Sequence, residues 1–396
     1  MAIFYELDDT SGLTANIKVI GVGGGGGNAI NNMITQKMTG VEFIVANTDA
    51  QAIEKSQAEV CIQLGGDKTR GLGAGANPNL GKEAAEVEKQ HISEMLTDTD
   101  MLFITAGMGG GTGTGAAPVI AEVASEMGVL TVAIVTKPFA FEGKRRMRQA
   151  EAGIEELRKF VDTLIIIPNQ KLVASVGKTT TMMEAFRKAD DILLEAVKGI
   201  SDLIANAGYI NVDFADVKAV MSENRSVAMM GAGTATGENR ACEAVEKAIS
   251  SPLLEDVDIH GARGVLVNVT GNNELGLHEV NEAVSIIENM VDEDANIIFG
   301  FVNDDSMADE LRVTVVATGL NQTTSTSAAP RIASSNPTTT GSLNIPIPAA
   351  NPNNHSIDYG TFDAPTVSRT AAQTANALAY DEDQLSIPTW IRRQAD

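Results

Sequence analysis

Gly107-Met108-Gly109-Gly110-Gly111-Thr112-Gly113-Thr114-Gly115 is the stretch whose reading decides the fold. The apolar run Met101–Thr105 leads into it, and Ala116–Ala121, which reads as a helix, leads away. Strand, glycine turn and helix together make a phosphate-binding arrangement. Glycines let the backbone turn sharply and approach an anion closely, so that successive N–H groups point at it. The helix adds its positive N-terminal end to the same anion. Thr112 and Thr114 supply hydroxyl donors. A flexible linker explains these glycines poorly, because linkers are not threaded between a strand and a helix.

The same pattern recurs on either side. Ile17–Val22 reads as a strand running into Gly23-Gly24-Gly25-Gly26-Gly27-Asn28, a second glycine turn that opens a helix. Short β-rich runs follow at Glu42–Ala46, Val60–Leu64, Val129–Val135 and Leu164–Ile167, with helical patterns at 79–96, 114–127 and 144–160. Strands alternating with helices predict an α/β fold, a Rossmann-like parallel sheet with its ligand beyond the strands' C-terminal ends. From Thr181 to Ala207 the period becomes helical, with Met183, Phe186, Ala189, Leu193, Ala196, Ile200, Leu203 and Ile204 on one stripe. Such a helix of about 26 residues is roughly 40 Å long, enough to join two domains. Strands at Gly264–Thr270, Ala295–Val302 and Leu311–Ala317, with helices at 238–250 and 276–291, predict a smaller α+β domain.

The expected organisation is a loose tail (1–13), a nucleotide-binding domain (14–180), a central helix and following loop (181–221), and the α+β domain (222–320). A linker (321–379) and a terminal peptide (380–396) complete it. The linker is dominated by Thr, Ser, Ala, Asn and Pro and has no apolar period, so it is read as disordered.

The formal net charge of -23 disfavours nucleic-acid or anionic-membrane surfaces as partners. Neither glycine turn contains Lys or Arg, which leaves backbone amides and a divalent cation to neutralise phosphate. Cys61 and Cys242 form no disulfide framework, suit a reducing cytoplasm, and read as buried small apolar side chains. His91, His260, His278 and His355 lack metal-ligand spacing. The acidic N-terminus lacks a signal peptide's basic start, and no apolar run is long enough to span a bilayer.

Gly21-Val22-Gly23-Gly24-Gly25-Gly26 also satisfies the dinucleotide fingerprint, with Asp49 at a spacing suited to a ribose, so a nicotinamide-dependent oxidoreductase competes. A second long glycine turn suits the polyphosphate of a mononucleotide better. A P-loop is excluded at Gly177-Lys178-Thr179, because Leu172 stands where its first glycine belongs.

Gly109–Gly115 resembles the signature loop of the tubulin/FtsZ family of GTPases, and the likeness extends over residues 12–320 and the last fifteen or so. The resemblance implies GTP as substrate with Mg2+ as its cation. It assigns Gly24, Gly25, Gly26, Gly27 and Asn28 to one nucleotide loop, with Asn28 near the guanine. Gly110, Gly111, Thr112, Gly113 and Thr114 belong to the other. Asn47–Asp49 and Gly73–Pro78 resemble the loops that sense the γ-phosphate. Glu142 and Arg146 become ribose contacts, Phe186 a base stacker, and Asp190 an acceptor for guanine N1 and N2 hydrogens. From the residues alone, Phe186 and Asp190 read first as part of an ordinary core face and a solvated face, and only the resemblance moves them to the site.

Asn211, Asp213 and Asp216 match the family's catalytic loop, which completes the site of the next subunit in a head-to-tail polymer. By pattern alone Asp213 is a helix N-cap and Asp216 a first-turn acid. The terminal Ile387, Pro388, Trp390, Ile391 and Arg392 resemble a segment that docks on membrane-linked division adaptors such as FtsA and ZipA. The implied setting is the cytoplasm at the mid-cell division site. Three positions depart from the commoner pattern: Gln170 where Asp is frequent, Asn32 where a larger or basic residue is usual, and Trp390-Ile391 for Phe-Leu.

Overall fold

Residues 15–175, 180–205, 212–222, 226–254, 261–272, 275–292, 294–304 and 307–320 are described by a computed structural model. The N-terminal tail, the linker, the terminal peptide with its adaptor-docking residues, Gly177–Thr179 and Asn211 lie outside them. Ten strands form one sheet: β1 (Ile17–Val22), β2 (Glu42–Asn47), β3 (Val60–Gln63), β4 (Met101–Gly107), β5 (Leu130–Lys137), β6 (Thr163–Pro168), β7 (Ser226–Thr236), β8 (Gly264–Gly271), β9 (Asn296–Asn303) and β10 (Glu310–Thr318). Their order is β3-β2-β1-β4-β5-β6-β7-β10-β8-β9. The first six are parallel; β10 runs antiparallel to both β7 and β8. This is the mixed α/β fold that the alternation predicts.

The helices in chain order are α1 (Gly23–Thr35), α2 (Ala50–Glu54), α3 (Gly66–Thr69), α4 (Pro78–Val87), α5 (Lys89–Met95) and α6 (Thr112–Glu126). There follow α7 (Lys144–Leu157), α8 (Asn169–Ser175), α9 (Met182–Ala205), α10 (Phe214–Met221), α11 (Arg240–Ile249) and α12 (Leu277–Glu288). β4 is buried along nearly its whole length, as a central strand covered on both faces must be. One face packs on α1 and α9 through Ile30, Met33, Ile192 and Ile200, the other on α4 to α7 through Ala84, Ile92, Ile120 and Leu157. Each of these side chains other than Ala84 contributes ~1.5–3 kcal/mol when fully buried. In the register of β1 on β4, Val22 lies beside Ala106, so both glycine turns leave the sheet at the same point.

The structure differs from expectation in four places. The 79–96 helix is two helices, interrupted at Glu88, whose φ of -96° and ψ of 9° are not helical. β7 has no counterpart in the sequence reading, since its Met, Ala and Gly residues carry little β signal. Its glycines serve packing: a Cβ on Gly231 or Gly233 would lie 2.0 Å from the Ala248 carbonyl oxygen or 2.1 Å from that of Ala244, so only glycine lets α11 settle there. The cysteines are not core residues. Cys61 is exposed because β3 alternates and turns Ile62 inward instead, and the half-exposed Cys242 has its Sγ 3.8 Å from Glu282. Lastly, the α9 stripe is buried from Ala189 to Leu203 but not at its start, where Met183 is 72% and Phe186 36% exposed. That first turn overhangs a cleft.

Candidate functional site

The cleft lies beyond the C-terminal ends of β1, β4 and β5, where α1 and α6 leave the sheet toward opposite faces. Gly23 to Gly27 form the first turn of α1 itself rather than a loop before it. Gly23 adopts φ +72°, and a Cβ there would be 2.8 Å from the Gly113 nitrogen; a Cβ on Gly26 would be 2.4 Å from the Thr105 carbonyl oxygen. The two glycine turns therefore touch through backbone alone. Gly24 and Gly110, by contrast, face open space, with no heavy atom within 4 Å of a notional Cβ. No acidic residue occupies the first turn of α1 or α6, which leaves both helix N-termini electrostatically positive.

The threonine hydroxyls are engaged within the protein. Thr114 Oγ1 accepts from the Gly109 N–H at 2.8 Å, and Thr112 Oγ1 lies 2.6 Å from Thr48 Oγ1. Thr114 thus shapes the 109–111 turn, while Thr112 ties it to the Asn47–Asp49 turn. Asp49 caps α2 by accepting from Gln51 N–H, and Asn77 caps α4 by accepting from Asn79 N–H. Between these caps, Gly73, Gly75 and Ala76 all have positive φ, and Gln149 of α7 donates to the Ala76 carbonyl at 3.3 Å. Gly111 packs on Ala74, so the 73–77 turn lies against the 109–115 glycine turn.

A cleft of about 230 Å³ is lined by Gly25, Asn28, Glu142, Arg146, Phe186 and Asp190. These residues come from α1, the 138–143 turn, α7 and α9. Glu142 accepts from Phe139 N–H at 2.8 Å and pairs with Arg146 at 2.9 Å. Phe139 and Phe141 stack at 5.2 Å between centroids, and Phe186, which lines the cleft, meets both edge-on. Burial, assisted by the Asp191 charge, pushes the Asp190 carboxyl up to about 7. A second cleft of about 230 Å³ on the other side of α1 is lined by Gly24, Gly27, Asn28, Asn47 and Asp49.

Asn169 is a cleft residue that sequence reasoning passed over. It follows β6 directly, is 4% exposed, and its Oδ1 has no hydrogen-bond partner. Its position past the end of a parallel strand was the available signal. Its neighbour Gln170 accepts from Ala140 N–H at 3.0 Å and so anchors the aromatic turn.

Asp213 and Asp216 are elsewhere. Both are exposed, Asp213 occupies the N-cap position of α10 without a capping side-chain bond, and neither lines the cleft. Leu203 and Val212 both pack against Gly300, which puts Asp213 beside the far end of α9. From Asp190 to Leu203 is ~20 Å along the helix.

Parallel-sheet topology with two backbone-built anion turns and a base-sized cleft defines a mononucleotide-binding α/β protein. Residues 16–177 match the Tubulin/FtsZ family, GTPase domain, and residues 226–321 match the FtsZ family, C-terminal domain. The chain is 52% identical over 398 residues to the cell division protein FtsZ of Pseudomonas aeruginosa, covering 99% of this chain and 100% of that protein. It is 50% identical over 397 residues to that of Coxiella burnetii, covering 98% and 99%. An empty FtsZ dimer of M. jannaschii aligns with a TM-score of 0.74 at 46% identity, over 78% of this chain and 89% of that one. CetZ2 of Haloferax volcanii, at 20% identity and a TM-score of 0.66 over 78% and 94%, shares the fold. The chain belongs to the tubulin/FtsZ family and is a GTP-binding GTPase. The nicotinamide reading falls with that assignment.

Proposed function

We propose that this GTPase polymerises head to tail, hydrolyses GTP at the contact between successive subunits, and builds the division ring at mid-cell in the cytoplasm. The observation that carries the reading is the separation along α9. The cleft and both anion turns lie at one end, while the exposed Asp213 and Asp216 lie ~20 Å away at the other. A subunit cannot bring its own carboxylates to its own phosphates, but a neighbour stacked end to end can. Such a heterologous contact does not close and grows a filament. Exposed apolar side chains near the nucleotide end, Leu72, Phe141, Met182 and Met183, at 84, 64, 61 and 72%, suit a face that a neighbour covers. Self-association in the M. jannaschii relative points the same way.

In this reading Gly24 to Asn28 and Gly110 to Thr114 hold the phosphates, Glu142 and Arg146 the ribose, and Phe186, Asp190 and Asn169 the base. The neighbour's Asp213 and Asp216, with Asn211, orient and polarise the attacking water, which suits a phosphoryl transfer that requires mainly positioning and charge neutralisation. Mg2+ accompanies the nucleotide. Among the described residues no group of three or more His, Cys, Asp or Glu could hold a metal, so phosphate oxygens would carry it. No described helix is long and apolar enough to cross a membrane. Attachment would fall to Ile387, Pro388, Trp390, Ile391 and Arg392, docking on adaptors such as FtsA and ZipA. Mixing tests the shared site: a variant crippled in the cleft and a variant lacking Asp213, each inactive alone, should together regain turnover. No recovery across all mixing ratios, with both variants folded, would contradict it.

A further inference from the structure

Two adjacent carboxylates of α9 stand beside the cleft. Asp190 lines the cleft, whereas Asp191 reaches to α1, where Asn32 Nδ2 donates to its Oδ1 at 3.0 Å. That bond ties α9 to α1 one residue beyond Asp190. The groups around Asp190 are short of positive charge. α1 contributes no charged residue, the ends of β4 and β5 offer Gly107 and Thr136, and α8 offers Asn169. Arg146, the cleft's one cation among the described residues, is committed to Glu142 at 2.9 Å. Lys188 and Glu195 line a separate cavity together with Asp191.

We propose that Asn32 and Asp191 form a positioning pair that makes guanine binding by this chain depend on pH through Asp190. The inference rests on Asp190 being the base acceptor, as argued above. An ionised carboxylate can accept from guanine N1–H and N2–H together; a protonated one has become a donor at one oxygen and loses the charge assistance. An amide at position 32 fixes Asp191 without neutralising it, so the Asp191 charge continues to oppose ionisation of Asp190. A basic residue at position 32 would cancel that charge. The burial-driven rise of the Asp190 carboxyl agrees with this arrangement. The sign follows: guanine takes the ionised form, so affinity falls as pH falls.

The test is the GDP dissociation constant at pH 6, 7 and 8, at fixed ionic strength, for wild type, Asp191→Asn, Asn32→Lys and Asn32→Asp. Titration of the GDP phosphates is common to all four and cancels in comparison. Wild type should bind about tenfold more weakly at pH 6 than at pH 8, as for a group half-ionised near neutrality. Asp191→Asn keeps the acceptor for Asn32 and removes the charge, so this ratio should shrink measurably below that of wild type. Asn32→Lys should shrink it also, and Asn32→Asp should weaken binding further at pH 7. If Asp191→Asn does not fold, the two opposed Asn32 variants carry the test, because a merely structural pair would weaken alike in both. Equal pH ratios in all folded variants would overturn the pair. Absence of guanine-nucleotide binding by wild type at every pH would instead overturn the site reading beneath it.

Discussion

The two ends of α9 are built differently. At its start, Phe186 and Asp190 belong to a cleft whose other walls come from α1, α7 and the aromatic turn, with hydrogen bonds fixing Glu142, Arg146 and the 138–143 backbone. At its far end, Asp213 and Asp216 stand exposed, and the Asp213 side chain does not even cap its own helix. One end gathers its groups into a cleft within a single chain; the other leaves its carboxylates exposed. On the function proposed above, the contrast makes binding and hydrolysis separable, the second requiring another copy.

The sharpest way to break the contrast is at the exposed end. Asp213→Ala or Asp216→Ala should retain GTP binding and lose turnover by ~10²-fold or more if each positions the water. Normal turnover in either variant would return that residue to a helix-end role. Any assembled polymers should also persist longer after a pulse of GTP.

A smaller effect is expected at the cleft end. Asp190→Asn should lower the preference for GTP over ATP and ITP, a lost buried acceptor costing on the order of 1–3 kcal/mol. An unchanged preference order would put the base elsewhere. The same substitution has a signature in the nucleotide-free protein. The folded carboxyl is raised to about 7, against an ordinary value of about 3.9. Its contribution to stability is therefore present below about pH 4 and lost as pH rises through about 7. The substituted amide does not titrate, so the variant's melting temperature should gain on wild type between about pH 4 and pH 8. A constant gap would show that Asp190 ionises freely.

The smallest effect on hydrolysis should come from deleting residues 381–396. Turnover and assembly should be unchanged while binding to purified FtsA or ZipA is lost, with Trp390→Ala reproducing most of that loss in fluorescence anisotropy. Full adaptor binding by the truncated chain would place docking on the globular part.

Legibility followed the physics of each region. β1, β4, β5 and β6 were readable because parallel strands covered on both faces are continuous apolar runs. β7 was not, because Gly231 and Gly233 answer to α11 rather than to strand propensity. The glycine turns were readable as turns that open helices, yet the inward engagement of Thr114 was not, since a hydroxyl's direction is set by the turn it closes. Asn28, Glu142, Arg146, Phe186 and Asp190 share a cleft although they lie far apart in sequence, and no spacing rule unites them; the family resemblance singled them out. Asn169 escaped because a lone asparagine after a strand is chemically mute until its unpartnered oxygen is seen.

The central claim is that the hydrolytic site is shared between subunits, and specific GTPase activity against protein concentration tests it most directly, with light scattering recorded in parallel. The account predicts almost no turnover per molecule below a threshold, and a rise that coincides with scattering. Specific activity that stays constant down to high dilution, without assembly, would contradict it.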